Sequence, residues 1–144
     1  MSVHEQVNTF LVEIFGRINR IEQRALAAGL NDEVTIAEIH ILEKIGDMEC
    51  ARMSDIARAL DITLATLTIA CERLEKKEMI ERVRAKHDRR VVLVSLTPKG
   101  WAAYHYHQQF HNNLIDSALS GLTDDEQRVL GSALQKIEDF LGTF

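Results

Sequence analysis

Apolar residues recur along most of this chain at the spacing of amphipathic helices. The first stripe runs from Val3 to about Ala28, with apolar side chains at steps of three to five residues. Gly29, with Asn31 and Asp32 just beyond it, is expected to end this helix. A long helix with one apolar face therefore opens the chain, and that face needs a surface to pack against.

Three shorter helices are predicted next. Thr35 and Glu38 have the spacing of a capping box, so they predict a helix that begins at Ile36 and ends near Gly46. Two compact helices follow, over residues 53–60 and 64–77, with only a brief polar turn between them. Two helices joined by such a turn are typical of a helix-turn-helix.

The periodicity then changes from helical to alternating. Met79–Ala85 and Val91–Leu96 are rich in apolar and β-branched residues, and the polar stretch Lys86–Arg90 separates them. This pattern predicts a β-hairpin with a charged tip. Thr97 followed by Pro98 predicts the start of another helix, because proline suits a first helical position.

Two long helices complete the predicted order. The first ends near Leu119 before Gly121, and Thr123 with Glu126 opens the last through another capping box. The fold class is thus mainly α with a small β-wing: a winged helix-turn-helix of six helices plus a hairpin. The chain, residues 1–144, is interpreted as one domain. Its DNA-binding part is expected to span 34–97. The helices of 1–30 and 98–144 are expected to form a homodimer, which would hold two DNA-binding parts about one DNA turn apart.

Composition narrows the function classes. With 144 residues, of which 46% are hydrophobic, the chain suits one core and leaves no room for a separate catalytic domain. No apolar run approaches the roughly 20 residues that span a bilayer, so we expect a cytoplasmic protein without a membrane partner. Cys50 and Cys71 lack the spacing of a redox motif, and Cys71 falls on an apolar helical position. No phosphate-binding glycine loop or nucleophile motif is present, so an enzyme is not expected.

The charge distribution points to a nucleic acid. The net charge is −5, yet residues 51–100 carry 11 lysines and arginines against 7 acidic residues. Five basic residues crowd around the predicted hairpin tip, accompanied only by Asp88: Arg82, Arg84, Lys86, Arg89 and Arg90. A basic edge on an acidic body is typical of a phosphate-binding surface. A winged helix that docks another protein is the alternative from a different class.

The stretch from Ser54 to Gly100 resembles the MarR family of bacterial regulators, above all in ERLEKKEMIERVRAKHDRRVVLVSLTPKG. The segments LVEIFGRINRIE, DITLATLT and HYHQQFH are similar to the FabT-type repressors of fatty-acid synthesis. Two residues depart from the family pattern. Glu78 stands where glycine is usual, and Ile69 stands where many relatives carry a basic or polar residue.

The resemblance implies a repressor that binds a pseudo-palindromic duplex operator. The fourth helix would enter the major groove and the hairpin tip a minor groove, with Asp88 orienting Arg90. Because the fourth helix begins with no arginine, asparagine or glutamine, DNA shape and A·T-rich sequence should contribute more than polar base contacts. The residues expected to contact DNA are Arg52, Thr63, Leu64, Ala65, Thr66, Thr68, Arg84, Lys86, Asp88, Arg89 and Arg90.

No cofactor is expected to be required, and two effectors are considered. The FabT-type resemblance implies a corepressor, a long-chain acyl group on acyl carrier protein. Phe10, Ile14 and Leu42 are candidates to line its tunnel, although each suits a core equally well. Arg17, Arg20 and Arg24 form a basic stripe that suits an acidic carrier.

The alternative effector is zinc. His107 and His111 are four residues apart on one predicted helix, a spacing that zinc sites use. Glu22 and His40, on preceding helices, are expected to complete four ligands. Hydrogen-bonded histidines at a helix junction remain an equally simple interpretation of this pattern.

Overall fold

The protein is described here from a computed structural model, which covers residues 1–31 and 33–144. Asp32, expected to help end the first helix, lies outside the described residues. The chain divides into two compact units, Met1–Gln108 and Gln109–Phe144. The described helices are α1 (Val3–Thr9), α2 (Phe15–Leu30), α3 (Ile36–Met48), α4 (Met53–Ala59), α5 (Leu64–Lys76), α6 (Pro98–Leu119) and α7 (Asp124–Leu141). The described strands are β1 (Ala51–Arg52), β2 (Ile80–Arg84) and β3 (Val92–Leu96).

This order confirms the predicted fold class, mainly α with a small β-wing. A π-helical turn at Phe10–Ile14 joins α1 to α2, so the first predicted helix is continuous but irregular. None of the described helices is both long and apolar enough to cross a membrane.

The core of the first unit lies between α3, α4, α5 and the sheet. Apolar residues at helical spacing on these helices face one another, as the sequence pattern predicts. The members that are fully buried include Ile39, Leu42, Ile45, Ile56, Leu67, Leu74 and Val94. This core holds α5 against the sheet and leaves the opposite face of α5 exposed.

Two glycines expected to end helices lie inside them instead. Gly29 is within α2, which continues to Leu30 and ends at Asn31 in the left-handed region (φ 52°). A Cβ on Gly29 would overlap the ring of Tyr106. Gly46 is within α3 and would bring a Cβ to 2.8 Å from the ring of Tyr104. Both glycines therefore serve close helix packing rather than termination.

The sheet has three strands in the order β1-β3-β2, all antiparallel. The predicted hairpin is β2–β3, in register from Ile80 opposite Leu96 to Arg84 opposite Val92. The strand β1, which pairs Ala51 with Val94, is absent from the predicted elements. A strand of two residues is too short to show the alternation that identifies strands.

The turn from α5 to the wing explains two features of the sequence. Glu78 has φ 60°, a conformation that favours glycine, so this departure from the family pattern carries backbone strain. Its carbonyl accepts a hydrogen bond from the Thr97 hydroxyl at 2.6 Å. Gly100 allows α6 to approach this turn, because a Cβ there would lie 2.0 Å from the carbonyl oxygen of Met79. The TPKG segment thus anchors the base of the wing.

The second unit comprises the end of α6 and α7. Thr123 and Glu126 form the predicted capping box at the start of α7. Gln127 donates hydrogen bonds to the carbonyls of Leu119 and Leu122, and these bonds close the turn between the two helices. No residue of α7 is buried, although one face of the helix is apolar.

Candidate nucleic-acid interface

The helix α5 presents a nearly uncharged surface at its N-terminal half. Leu67, Cys71 and Leu74 are buried, which fixes the rotation of the helix about its axis. Burial raises the pKa of the Cys71 thiol to about 11, so it is an inert core residue as predicted, whereas Cys50 is exposed. The opposite, exposed side of α5 is the surface available to a partner.

The threonines of this segment are engaged within the helix. The Thr63 hydroxyl caps α5 by accepting from the Thr66 amide at 3.1 Å, and it donates to the Thr66 hydroxyl at 2.8 Å. The Thr68 hydroxyl donates to the carbonyl of Leu64 at 2.8 Å. These bonds order the start of the helix and leave fewer hydroxyl groups free to reach a ligand.

The tip of the wing, residues 85–91, is organised by Asp88. Its Oδ1 accepts hydrogen bonds from the backbone amide of Arg90 at 3.0 Å and from Arg90 Nε at 3.3 Å. The Arg90 side chain is nevertheless 93% exposed. Asp88 thus orients an arginine that still offers most of its guanidinium donors to a partner.

Three further basic side chains occupy the wing. Arg84 Nη1 donates to the carbonyl oxygen of Arg89 at 2.7 Å, so Arg84 supports the loop in addition to any contact with a phosphate. Lys86 and Arg89 are exposed. Concentrated positive charge on a small, exposed loop favours an anionic partner.

An ion pair joins α5 to the wing. Arg82 on β2 donates to both carboxylate oxygens of Glu75, at 3.1 and 3.3 Å. This hydrogen bonding lowers the pKa of Glu75 and raises that of Arg82. The pair holds the wing at a defined position beside α5. It was not predicted, because in the sequence Arg82 is only one member of a basic run.

A cleft of about 260 Å³ lies between α5, the start of α4 and the wing. Its lining includes Arg52, Ser54, Leu64, Thr68, Arg82 and Arg90. Four of these, Arg52, Leu64, Thr68 and Arg90, belong to the predicted DNA-contacting set. The fold therefore brings residues from three separate elements to one face, where their charge and shape suit a nucleic-acid backbone.

A second polar feature, the carboxylate–histidine cluster, consists of Glu22, His40, Glu43 and His107. The His107 side chain is 1% exposed, with Nε2 bound to Glu22 and Nδ1 to Glu43. His40 Nε2 lies 3.5 Å from the same Glu22 oxygen that contacts His107. The cluster connects α2, α3 and α6.

Electrostatics decide the protonation of this cluster. Burial by itself disfavours the imidazolium form of His107, but hydrogen bonds and charge from Glu43 and Glu22 outweigh it and raise its pKa. Protonated His107 donates from both ring nitrogens and thereby satisfies two carboxylates at once. His111 follows His107 by one turn of α6 and is half-buried.

Comparison with known proteins identifies the family. Residues 34–92 match the MarR family. The multiple antibiotic resistance protein MarR of Salmonella typhimurium is 32% identical over 122 residues, which cover 83% of this chain and 85% of that protein. The chain belongs to the MarR family.

Two further proteins are similar to this chain over nearly its whole length. The transcriptional regulator ZitR of Lactococcus lactis is 29% identical over 143 residues, 96% of this chain and 98% of that protein. The crystal structure of Streptococcus pneumoniae FabT in complex with DNA superposes with a TM-score of 0.91 at 32% identity, covering 97% of this chain and 98% of that one. This MarR-family protein is a DNA-binding transcriptional regulator and not an enzyme.

The candidate effector residues are distributed over different environments. Leu42 is fully buried in the core, whereas Phe10 and Ile14 lie in the half-exposed π-helical turn. The three arginines of α2 are exposed as a stripe: Arg17, Arg20 and Arg24. The acyl tunnel and the carrier-docking stripe stay predictions.

Proposed function

We propose that this MarR-family regulator binds a pseudo-palindromic DNA operator as a homodimer, with α5 in the major groove and the wing tip in the adjacent minor groove. The observation that carries the proposal is the shared face of α5, α4 and the wing, on which Arg52 and Arg90 flank the exposed start of α5. The likeness to a relative solved with DNA supports it. A helix of this size fits the major groove, and an exposed arginine suits a narrow minor groove.

The roles follow from the environment of each side chain. Arg90, oriented by Asp88, would insert into the minor groove, and Arg89 and Lys86 would contact phosphates on either side. Arg52, exposed at the start of α4, would contact a phosphate across the cleft. Leu64, Ala65 and the threonines of α5 would face the base edges, so polar readout there is sparse.

A second copy of the chain is the proposed occupant of the exposed apolar faces. In the first unit, Val7, Phe10 and Leu11 are exposed along one helical segment. In the second unit, the apolar face of α7 is exposed throughout. Stripes of this size normally pack against a partner, and a two-fold arrangement repeats the reading head for a palindrome.

Arg90→Ala tests the interface. We expect operator affinity to fall about tenfold. The negative slope of log affinity against log salt concentration should become shallower by about one for each arginine removed. Arg128→Ala on α7 is the matched control, because it removes an equal charge outside the winged helix. Unchanged affinity in folded Arg90→Ala, checked by circular dichroism, would remove Arg90 from the interface.

The finer proposal is that the operators control fatty-acid synthesis, with long-chain acyl-acyl carrier protein as corepressor. The similarity to FabT supports it, and so does the exposed arginine stripe of α2, which complements an acidic carrier. Acyl-acyl carrier protein added in the presence of a chelator should raise operator affinity, whereas the carrier without an acyl chain should not. Arg20→Glu should abolish the response and leave basal DNA binding intact; a response from the unacylated carrier would contradict an acyl signal.

The carboxylate–histidine cluster favours zinc as a second candidate effector. The Nε2 atoms of His40 and His107 both face one oxygen of Glu22, and Glu43 bonds the other nitrogen of His107. Two histidines, a carboxylate and a carboxylate that orients a ligand are a donor set that zinc accepts. The residues fit the ion: Glu22, His40 and His107 would hold it, Glu43 would orient His107 by accepting from Nδ1, and the ion would supply Lewis acidity there.

A competition titration with a chromogenic chelator tests this candidate. Wild type should take up zinc, and operator affinity should rise in the same concentration range. His40→Ala should weaken zinc binding at least tenfold, because it removes a ligand that is half exposed and does not hold the buried bridge. Zinc that leaves operator affinity unchanged would exclude it as the effector.

A further inference from the structure

The outward side of α5 carries a large apolar side chain, Ile69, that is more than half exposed. Between residues 33 and 108, the large apolar side chains that are exposed are Leu64, Ile69 and Val83. All the others in this range are at least half-buried. Leu64 and Ile69 both lie on α5, and the Ile69 residue is 55% exposed.

The packing of α5 determines where Ile69 points. Leu67 and Leu74 are buried against the core, and a residue at position 69 lies on the opposite side of a helix with 3.6 residues per turn. Ala65 lies one turn before Ile69 on that same side and is also exposed. The outward face of α5 thus carries adjacent methyl groups.

The chemistry of this surface is unusual for a helix that reads DNA. From Thr63 to Cys71 the helix holds no charged or amide side chain. The hydroxyls of Thr63 and Thr68 donate within the helix, whereas that of Thr66 accepts from Thr63 and retains a proton that it can donate. Apart from the Thr66 hydroxyl, the surface that remains for base contacts is aliphatic. In the major groove, the apolar group that identifies a base is the 5-methyl of thymine.

We propose that Ile69, together with Ala65, reads thymine in the operator by packing against its 5-methyl group. The inference rests on the proposed placement of α5 in the major groove. It explains why an isoleucine is exposed at this position, because packing against a base methyl would remove its apolar surface from water. It also makes Ile69 a determinant of sequence preference rather than of general affinity.

The test compares thymine with deoxyuridine, which lacks only the methyl group. A duplex is first selected from a random library with the wild-type protein, and each thymine is then replaced in turn. Loss of a contacted methyl should weaken wild-type binding about fourfold. Ile69→Ala should bind the thymine duplex about fourfold more weakly and should not distinguish it from the deoxyuridine duplex at that position.

Two variants control the result. Ile69→Val keeps a branched side chain and should retain sensitivity to deoxyuridine, and Val83→Ala removes a matched exposed side chain from β2 and should behave as wild type. Equal sensitivity in wild type and Ile69→Ala would overturn the inference while leaving operator binding intact. Wild type that selects no sequence from the library would instead overturn the proposed operator recognition itself.

Discussion

The winged helix and the helix α7 have similar apolar patterns but opposite surroundings. In the winged helix the patterned residues are buried, as Leu42 is at 0% exposure. On α7 the equivalent positions are open, as Leu134 is at 54%. The same periodicity thus produces a closed core in one region and an unpartnered face in the other. An amphipathic pattern therefore predicts that one face of a helix makes a contact, but it does not indicate whether the partner lies in the same chain.

The largest expected effect lies in the closed core. Leu42→Ala should lower the free energy of unfolding by about 3 kcal/mol, because it removes a fully buried side chain and leaves a cavity. Chemical denaturation at two protein concentrations measures this. The decrease in the free energy of unfolding should be the same at both protein concentrations. The decrease caused by Ile137→Ala on α7 should instead depend on protein concentration.

A charge on the open face should separate the copies. Leu134→Glu is expected to produce monomers and to weaken operator binding about 100-fold, since two linked reading heads bind more tightly than one. Sedimentation velocity and an operator titration measure the two effects. Ser132→Glu places the same charge on the polar side of α7 and should remain dimeric; a Leu134→Glu dimer would refute α7 as part of the interface.

A smaller effect is expected at the ion pair that joins the end of α5 to α3. Lys77, at the end of α5, donates to Glu38 Oε2 at 2.7 Å and to the carbonyl of Glu33 at 2.6 Å. Lys77→Met should therefore cost about 1.5 kcal/mol of stability by leaving the buried Glu38 without its cation. The neighbouring exposed Lys76 provides the control, and an equal loss in Lys76→Met would show that general charge is responsible.

The smallest effect concerns backbone strain. Glu78→Gly should raise the free energy of unfolding by about 1 kcal/mol, because glycine adopts φ 60° without steric cost. Thermal unfolding detects this as a higher melting temperature. Glu81→Gly on β2 should have the opposite sign, since glycine weakens a strand.

Several parts of the site were predictable because their signals are local. Thr63 caps α5 from within three residues, and Asp88 orients Arg90 two residues away. Other parts were not. The pair of Glu75 with Arg82 joins two elements across a turn, and no periodic pattern reports it.

The sequence was sufficient to predict which segments form helices and the hairpin, where most of them begin, and where the positive charge is concentrated. These features depend on caps, turns and periodicity, which act over a few residues. Tertiary structure alone decided that Gly29 and Gly46 lie within helices and that His107 bridges Glu22 and Glu43. These contacts join residues 58 to 85 positions apart, so they depend on how whole helices pack, which local free energies do not encode.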